Sequence, residues 1–216
     1  MKSLGKTVTE KDIPEEYLAK AQEYRQKMVE SAAEQDDALM EKFFAGEELT
    51  TDEIKKAIRK GTLARTITPA FCGTAFKDKG IQPLLDAVCD YLPSPLDAGP
   101  AVSADDPTQK REVSDTEPFC GLAFKIMNDP KSGGKITFVR VYSGTMKLGA
   151  EMLDSTIDRE QRISRLFRMH ASKQEPLEEA HAGDIVACVG LTETRTGDTL
   201  CDPEHPITLE SIDFPA

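Results

Sequence analysis

The stretch FCGLAFKIM, residues 119 to 127, has a period of two. Successive side chains of a β-strand point to opposite faces, so this pattern predicts a strand. One face carries Cys120, Leu122, Phe124 and Ile126, and the other carries Phe119, Gly121, Ala123, Lys125 and Met127. A strand needs neighbours to satisfy its backbone, so the sequence around it decides the architecture.

Further strand-like runs follow this stretch and are separated by short turns rich in Gly, Asn and Asp. Several short strands at this spacing, with no long helical pattern between them, predict a small antiparallel β-barrel. The runs are Lys135 to Tyr142, Glu151 to Leu153, Gln161 to Met169 and Asp184 to Val189.

The front of the chain is helical instead. Pro14 suits the first turn of a helix, and a helix is predicted from about Pro14 to Ala33. Its predicted buried stripe consists of Tyr17, Ala21, Tyr24, Met28 and Ala32. A second helix is predicted at about Asp37 to Phe44, and Thr50 with Glu53 forms a capping box that opens a third.

Next comes a strand, loop and helix pattern. Thr66 to Phe71 is short and partly β-branched, which predicts a strand. The helix after the loop has Pro83 in its first turn and ends before Pro93, and its predicted apolar stripe is Leu84, Leu85 and Val88. This pattern is typical of one edge of an α/β sheet, so the predicted fold class is α+β: a helical segment with a partial α/β edge, then the barrel.

Ser94 to about Ser114 is rich in Pro, Asp, Ser and Ala and has few large apolar residues. Such a composition predicts a linker and places the domain boundary there.

Composition excludes several classes of protein. With 27 Lys and Arg against 38 Asp and Glu, the net charge of -11 disfavours non-specific binding to nucleic acid or membrane surfaces. No apolar run is long enough to span a bilayer and no signal peptide is visible, so a cytoplasmic protein is predicted. The five cysteines form no CxxC pair, which predicts reduced core residues.

Motifs for catalysis are absent. The sequence has no GxxxxGK[ST] or GxGxxG phosphate loop and no Gly-x-Ser-x-Gly elbow. His170, His181 and His205 are scattered without metal-ligand spacing, so no metal site is predicted. We therefore expect no catalytic residues and no nucleotide hydrolysis by this chain alone.

Positive charge is concentrated in one stretch. Lys131 to Lys173 holds nine basic and four acidic residues, a net charge of +5, which leaves -16 for the rest of the chain. This polarity fits a face that contacts a phosphate backbone, and it fits ordinary outward-facing barrel residues equally well.

Several motifs together resemble bacterial elongation factor G, a translational GTPase. They run in unbroken order over nearly the whole chain: ITPAFCGTAFKDKG (residues 67 to 80), LLDAV (84 to 88), DYLPSP (90 to 95), AFKI (123 to 126), RVYSG (140 to 144), RMHA (168 to 171), AGDI (182 to 185) and GDTL (197 to 200).

The resemblance implies a fragment of such a protein. Residues 1–65 would be the helical end of the GTPase-domain insertion, 66–93 the last strand and helix of the GTPase domain, 94–112 a linker and 113–216 the β-barrel second domain. The phosphate-, magnesium- and guanine-selecting segments of the family would precede Met1, so GTP or GDP is expected as cofactor of the parent protein and none of the fragment.

The resemblance also implies site residues. Thr74, Ala75 and Phe76 match the last GTPase motif, which supports the guanine base through backbone N–H groups; the family usually has Ser where this chain has Thr74. A plain strand-to-helix turn is the alternative. Candidates for contact with RNA phosphate are Arg140, Arg162, Arg165 and Arg168; alternation along Gln161 to Met169 places Arg162 and Arg168 on one face and Arg165 on the other.

Implied partners are the small-subunit ribosomal RNA and the acidic stalk protein, with no membrane and a monomeric fragment. Stalk contacts would come from Lys55, Lys56, Arg59 and Lys60, although a solvated helix face explains these residues equally well. The implied function is ribosome docking, and part of a guanine-binding rim, for a factor that drives GTP-dependent translocation. The alternatives are a fragment of a ribosome-protection protein or divergent paralogue, and a free-standing RNA-binding barrel.

Overall fold

A computed structural model describes residues 11–129, 134–171, 173–210 and 212. Within these residues the chain divides into two compact units, with the division between Pro93 and Ser94. The first unit is helical and the second is built from β-strands. The predicted α+β fold class is confirmed. The ends of the predicted domains, residues 1–10 and 213–216, lie outside the described residues.

Three helices open the first unit: α1 (Glu15–Ala33), α2 (Asp37–Phe44) and α3 (Thr51–Leu63). The predicted bounds of α1 and α2 and the predicted start of α3 are confirmed to within a residue. The Asp36 side chain accepts a hydrogen bond from the Ala38 N–H at 3.2 Å and caps α2. Thr50 and Glu53 form the predicted capping box, with 3.3 Å between the Glu53 N–H and Thr50 Oγ1 and 2.9 Å between the Thr50 N–H and Glu53 Oε2.

The predicted buried stripe of α1 is wrong over most of its length. Tyr17 and Tyr24 are 56% and 58% exposed, and Met28 is 43% exposed. The C-terminal end of α1 packs, through Val29, Ala32 and Ala33, against a small core of Leu49, Ile54 and Ala57. The sequence pattern predicted an apolar face, and among the described residues of this unit nothing covers its first three turns.

The predicted strand Thr66–Phe71 is also absent. Residues 67–73 form no strand because no other strand lies beside them among the described residues of this unit to complete a ladder. The helix α4 (Ile81–Tyr91) forms as predicted, but Leu84, Leu85 and Val88 are exposed and Ala87 is its one buried residue. The predicted α/β edge is therefore present as an extended segment and a helix without a sheet.

The second unit is built from antiparallel strands, several of which pair with strands distant in sequence. Eight of them form one sheet in the order β7-β6-β12-β3-β4-β11-β8-β9, and β1 with β2 and β5 with β10 form two small pairs. The strands are β1 (Ala101–Val102), β2 (Lys110–Arg111), β3 (Cys120–Asp129), β4 (Gly134–Ser143), β5 (Met146–Lys147), β6 (Glu151–Asp154), β7 (Arg159–Arg162), β8 (Arg165–His170), β9 (Lys173–Pro176), β10 (Glu179–Ala180), β11 (Ile185–Val189) and β12 (Thr199–Cys201).

The sheet curls into a barrel because the chain passes directly from β7 to β8, which lie far apart in the strand order. Ile163 and Ser164 make this connection. The Gly149 N–H donates to the Ile163 carbonyl at 3.0 Å, and the Ser164 N–H donates to the Val189 carbonyl at 2.8 Å. The enclosed core is apolar and consists mainly of Val139, Val141, Met146, Met152, Ile163, Leu166, Val186 and Leu200.

Two details differ from the predicted strands. The single run Gln161 to Met169 is two strands, because the chain turns at Ile163 and Ser164. The alternation along residues 119–127 is interrupted, because the pairing with β4 shifts between Ala123 and Lys125. Phe124 is the extra residue of this β-bulge, so the two predicted faces exchange along β3.

The predicted linker, residues 94–112, is a folded part of the second unit and not an open connection. It belongs to the second unit and contains the β1–β2 pair. Ala101 packs with Cys120, Cys201, Ile207 and Leu209 in a second apolar cluster. The low content of large apolar residues suggested an open segment, but Ala101 is buried and hydrogen bonds from the Ala104 N–H to the Thr208 carbonyl and from the Gln109 side chain to the Pro206 carbonyl, both 2.8 Å, also hold the segment.

The Thr50 cap gives a stability prediction. We expect Thr50→Ala to lower the free energy of unfolding of the helical unit by about 1 kcal/mol, because the substitution removes the acceptor for the Glu53 N–H. The neighbouring Thr51→Ala serves as the matched control, since Thr51 is exposed and lies inside the helix. Urea unfolding followed by helical circular dichroism measures both; an equal effect of the two substitutions contradicts the prediction.

Candidate functional site

The loop from Cys72 to Gly80 is closed tightly on itself. Thr74 and Lys79 form an antiparallel bridge, with the Thr74 N–H 2.9 Å from the Lys79 carbonyl and the Lys79 N–H 3.2 Å from the Thr74 carbonyl. A methyl group on Gly73 would lie 2.9 Å from the Lys79 carbonyl, and one on Gly80 would lie 2.9 Å from the Cys72 carbonyl. Glycine is therefore required where the two sides of the loop meet.

The tip of this loop is one turn of 3-10 helix, Ala75–Lys77. The Lys77 and Asp78 N–H groups donate to the carbonyls of Thr74 and Ala75, both at 3.1 Å. The N–H groups of Ala75 and Phe76 come first in the turn and have no acceptor among the described residues. The Phe76 ring is fully exposed.

Of the three predicted guanine-contact residues, two keep a backbone donor available. The Thr74 N–H is already bonded within the loop, whereas those of Ala75 and Phe76 point to no acceptor in the described chain. The three residues are adjacent, and the Thr74–Lys79 bridge closes the loop that carries them. Their contact with a base remains a prediction.

The four predicted phosphate contacts are not equivalent. Arg140 is half-buried on β4, and its guanidinium carbon lies 5.3 Å from the centre of the Tyr142 ring. Arg168 is on β8, with Nη2 3.5 Å from Asp184 Oδ1. Each of these two cations therefore already has a partner.

Arg162 and Arg165 are more available. Both are exposed, on either side of the β7–β8 turn. The Arg162 Nε–H donates to the Gly149 carbonyl at 2.9 Å, which fixes the guanidinium at the surface and leaves its outer nitrogens free to bind an anion. Within β8, Arg165 and Arg168 are three residues apart and so lie on opposite faces, as predicted.

Residues 118–203 match the family model of elongation factor G domain 2. Over these residues the barrel is similar to elongation factor G domain 2, and the barrel is called domain 2 below. The predicted resemblance to this family of translation factors is confirmed. All four arginines lie within the matched residues of domain 2, and the loop with Thr74 and helix α3 lie outside them.

A crystal structure of a protein from Thermus thermophilus is similar to the chain at 26% identity with a TM-score of 0.68. The similarity covers 92% of this chain and 27% of that one. The chain thus spans about a quarter of the length of the structure that it matches.

The basic residues predicted to meet a stalk protein are mostly tied into the helical unit. Lys55 Nζ lies 2.8 Å from Asp90 Oδ2, and Lys60 Nζ lies 2.9 Å from Asp36 Oδ2. Arg59 donates to the carbonyls of Asp90 and Leu92, each at 3.1 Å. Lys56 is exposed and has no ion pair among the described residues. These contacts favour a structural role for Lys55, Arg59 and Lys60.

No sequence pattern predicted one cluster of charged side chains in the second unit. Asp115 accepts from the Ala182 N–H at 2.9 Å and lies 3.1 Å from His181 Nδ1. Glu179 Oε1 is 3.8 Å from His181 Nε2, and the His181 N–H donates to Asp184 Oδ2 at 3.0 Å. Asp115 and His181 are 66 residues apart, so only the folded chain brings them together.

The buried and the exposed cysteines lie in different units. Cys120, Cys188 and Cys201 are buried in domain 2, whereas Cys72 and Cys89 are exposed in the helical unit, so the prediction of five core cysteines is wrong for two of them. Burial raises the pKa of the Cys120 and Cys188 thiols to about 12.

Within the described residues, no three His, Cys, Asp or Glu side chains are placed to hold a metal ion, and no helix has the length and hydropathy of a membrane span.

Proposed function

We propose that this chain is the part of a G-type elongation factor that docks on the ribosome and completes one rim of a guanine site. The observation that carries the proposal is the match of the barrel to elongation factor G domain 2. The parent would be a translational GTPase that drives translocation with GTP as its cofactor. The chain itself would supply binding surfaces and no catalytic residue.

The proposed docking surface is the exposed turn between β7 and β8. Arg162 is held by the Gly149 carbonyl and Arg165 begins the next strand, so two guanidinium groups are presented by a backbone that is locked in the barrel wall. Arginine binds phosphate oxygens with geometrically matched donors, which suits an RNA backbone. Small-subunit ribosomal RNA is the proposed partner of this turn.

Residues 66–93 are proposed to be the last strand and helix of the GTPase domain, and residues 1–65 the end of its insertion. The unpaired segment 67–73 and the exposed Leu84, Leu85 and Val88 support this assignment, because a strand beside them would satisfy the backbone and bury the helix face. The Ala75 and Phe76 N–H groups would then contact guanine. An acidic stalk protein would meet α3 chiefly through Lys56.

Ribosome binding tests the docking proposal. We expect the chain to sediment with isolated small subunits and the double substitution Arg162→Ala, Arg165→Ala to weaken this binding, with the salt dependence of log K reduced by about 2 because two phosphate contacts are lost. Arg25→Ala is the control, since Arg25 is exposed on α1 and its replacement removes charge elsewhere. Unchanged binding by the double variant contradicts the assignment. Equally tight binding to arbitrary RNA supports the free-standing RNA-binding alternative.

Nucleotide titration tests whether this chain binds guanine nucleotides without the rest of its proposed parent protein. We expect isothermal titration of the chain with GDP or GTP to show no binding tighter than about 1 mM, a regime near -4 kcal/mol, because two backbone donors cannot replace a phosphate site. Micromolar binding would contradict the proposal that the chain supplies only a rim. Titration with inorganic phosphate alone controls for non-specific anion binding.

A further inference from the structure

A buried carboxyl group lies in the wall of domain 2, on the strand that pairs with the strand of Arg162. Asp154 ends β6 and has no exposed surface. Its Oδ2 accepts a hydrogen bond from the Thr194 hydroxyl at 2.8 Å and a longer one from the Gln161 side-chain amide at 3.5 Å. Oδ1 is also buried and has no hydrogen-bond partner within the described chain. An ionised carboxylate with one oxygen unsatisfied is costly to bury.

The same hydrogen-bond network holds the loop of residues 190–198, in which Thr192, Glu193 and Arg195 are exposed. Gln161 on β7 donates to Thr194 Oγ1 at 2.7 Å, and its own Oε1 accepts from the Glu193 N–H at 3.0 Å. Lys135 on β4 donates to the carbonyls of Thr192 and Thr194. Side chains from three strands, β4, β6 and β7, therefore converge on one loop, and Thr194, which is completely buried, is where they meet.

The cations of the neighbouring strands do not neutralise Asp154. Arg159 is its register partner on β7, but the Arg159 side chain is directed to Glu193, with Nε 4.0 Å from Oε2. Lys135 is occupied by the two loop carbonyls. The carboxyl group of Asp154 is therefore buried without a counter-ion among the described residues.

A second carboxylate lies nearby and opposes ionisation of the first. Asp198, before β12, accepts from the Arg195 N–H at 2.6 Å. Burial raises the pKa of Asp154, and the Thr194 hydrogen bond acts in the opposite direction. Repulsion from Asp198 raises the pKa further, and weaker interactions with the backbone of Ile157 and Thr156 lower it. The net effect raises the pKa of Asp154 above its ordinary value, with burial as the largest cause.

We propose that Asp154 is a proton-linked latch for the loop 190–198, closed when the carboxyl group is neutral and loosened when it is ionised. A neutral carboxyl group adds a donor, loses its charge and keeps the acceptor that Thr194 needs. When the loop opens, water reaches Asp154 and its pKa falls toward the ordinary value. The closed loop binds the proton more tightly than the open loop, so opening becomes more favourable as pH rises through the range between the two pKa values.

Amide hydrogen exchange in the full chain tests the latch. Protection factors of the Glu193 and Gly197 amides, corrected for intrinsic exchange, should fall as pH rises from about 4 to about 8, by roughly tenfold for each unit of pKa difference between closed and open loop. Asp154→Asn keeps the Thr194 acceptor without a charge, so its protection factors should not change with pH. Asp158→Asn, an exposed position in the adjacent turn, is the matched control and should follow the wild type. Equal pH dependence in the wild type and Asp154→Asn overturns the proposal.

A second measurement needs no substitution at Asp154. The side-chain carboxyl carbon of Asp154, followed by NMR against pH in the wild-type chain, should titrate above the ordinary aspartate range near about 4, and a midpoint at or below it overturns the proposal. Thr194→Val should weaken protection most at high pH, because the ionised carboxylate loses its donor, and Thr194→Ser should restore the wild-type profile. Neither result depends on ribosome binding, so the latch and the docking proposal can fail separately.

Discussion

The turn at Ile163 and Ser164 is the constraint on which the barrel depends. It carries the chain from β7, at one end of the strand order, to β8, next to the other end, and its backbone hydrogen bonds to Gly149 and Val189 join these two parts of the sheet. Gly190 packs against this turn with φ +119°, and a methyl group in its place would lie 2.2 Å from the Arg162 carbonyl and 2.8 Å from the Ser164 nitrogen. This close approach of two backbones helps to set the position of the residues on both sides of the turn.

This closure also explains why Arg162 and Arg165 are presented together. Ile163 between them is buried in the barrel core, so the turn is anchored from inside while the flanking arginines stay in solvent. The start of the loop 190–198 lies against the same turn through Gly190. The proposed RNA contact and the proposed latch therefore share one structural support, although different side chains perform them.

The sequence predicted which residues form helices and strands better than it predicted which side chains are buried. The caps at Asp36 and Thr50 and the period of two in residues 119–127 follow from interactions a few residues apart, and these elements formed. The exposure of Tyr17, Leu84 and Val88 depends on what packs beside them, which periodicity does not specify. The bulge at Phe124 and the approach of Asp115 to His181 depend on contacts distant in sequence. For the candidate site, the motif located the loop, but only its geometry separates the bonded Thr74 N–H from those of Ala75 and Phe76.

The distribution of the cysteines makes the two units chemically distinguishable. A thiolate is the reactive form, and the three thiols of domain 2 are buried with their pKa raised. Cys72, at the start of the loop, and Cys89, on α4, are accessible to a thiol-specific reagent. A fluorophore or spin label added to the native chain would therefore report on the loop and on the exposed helix without disturbing the barrel.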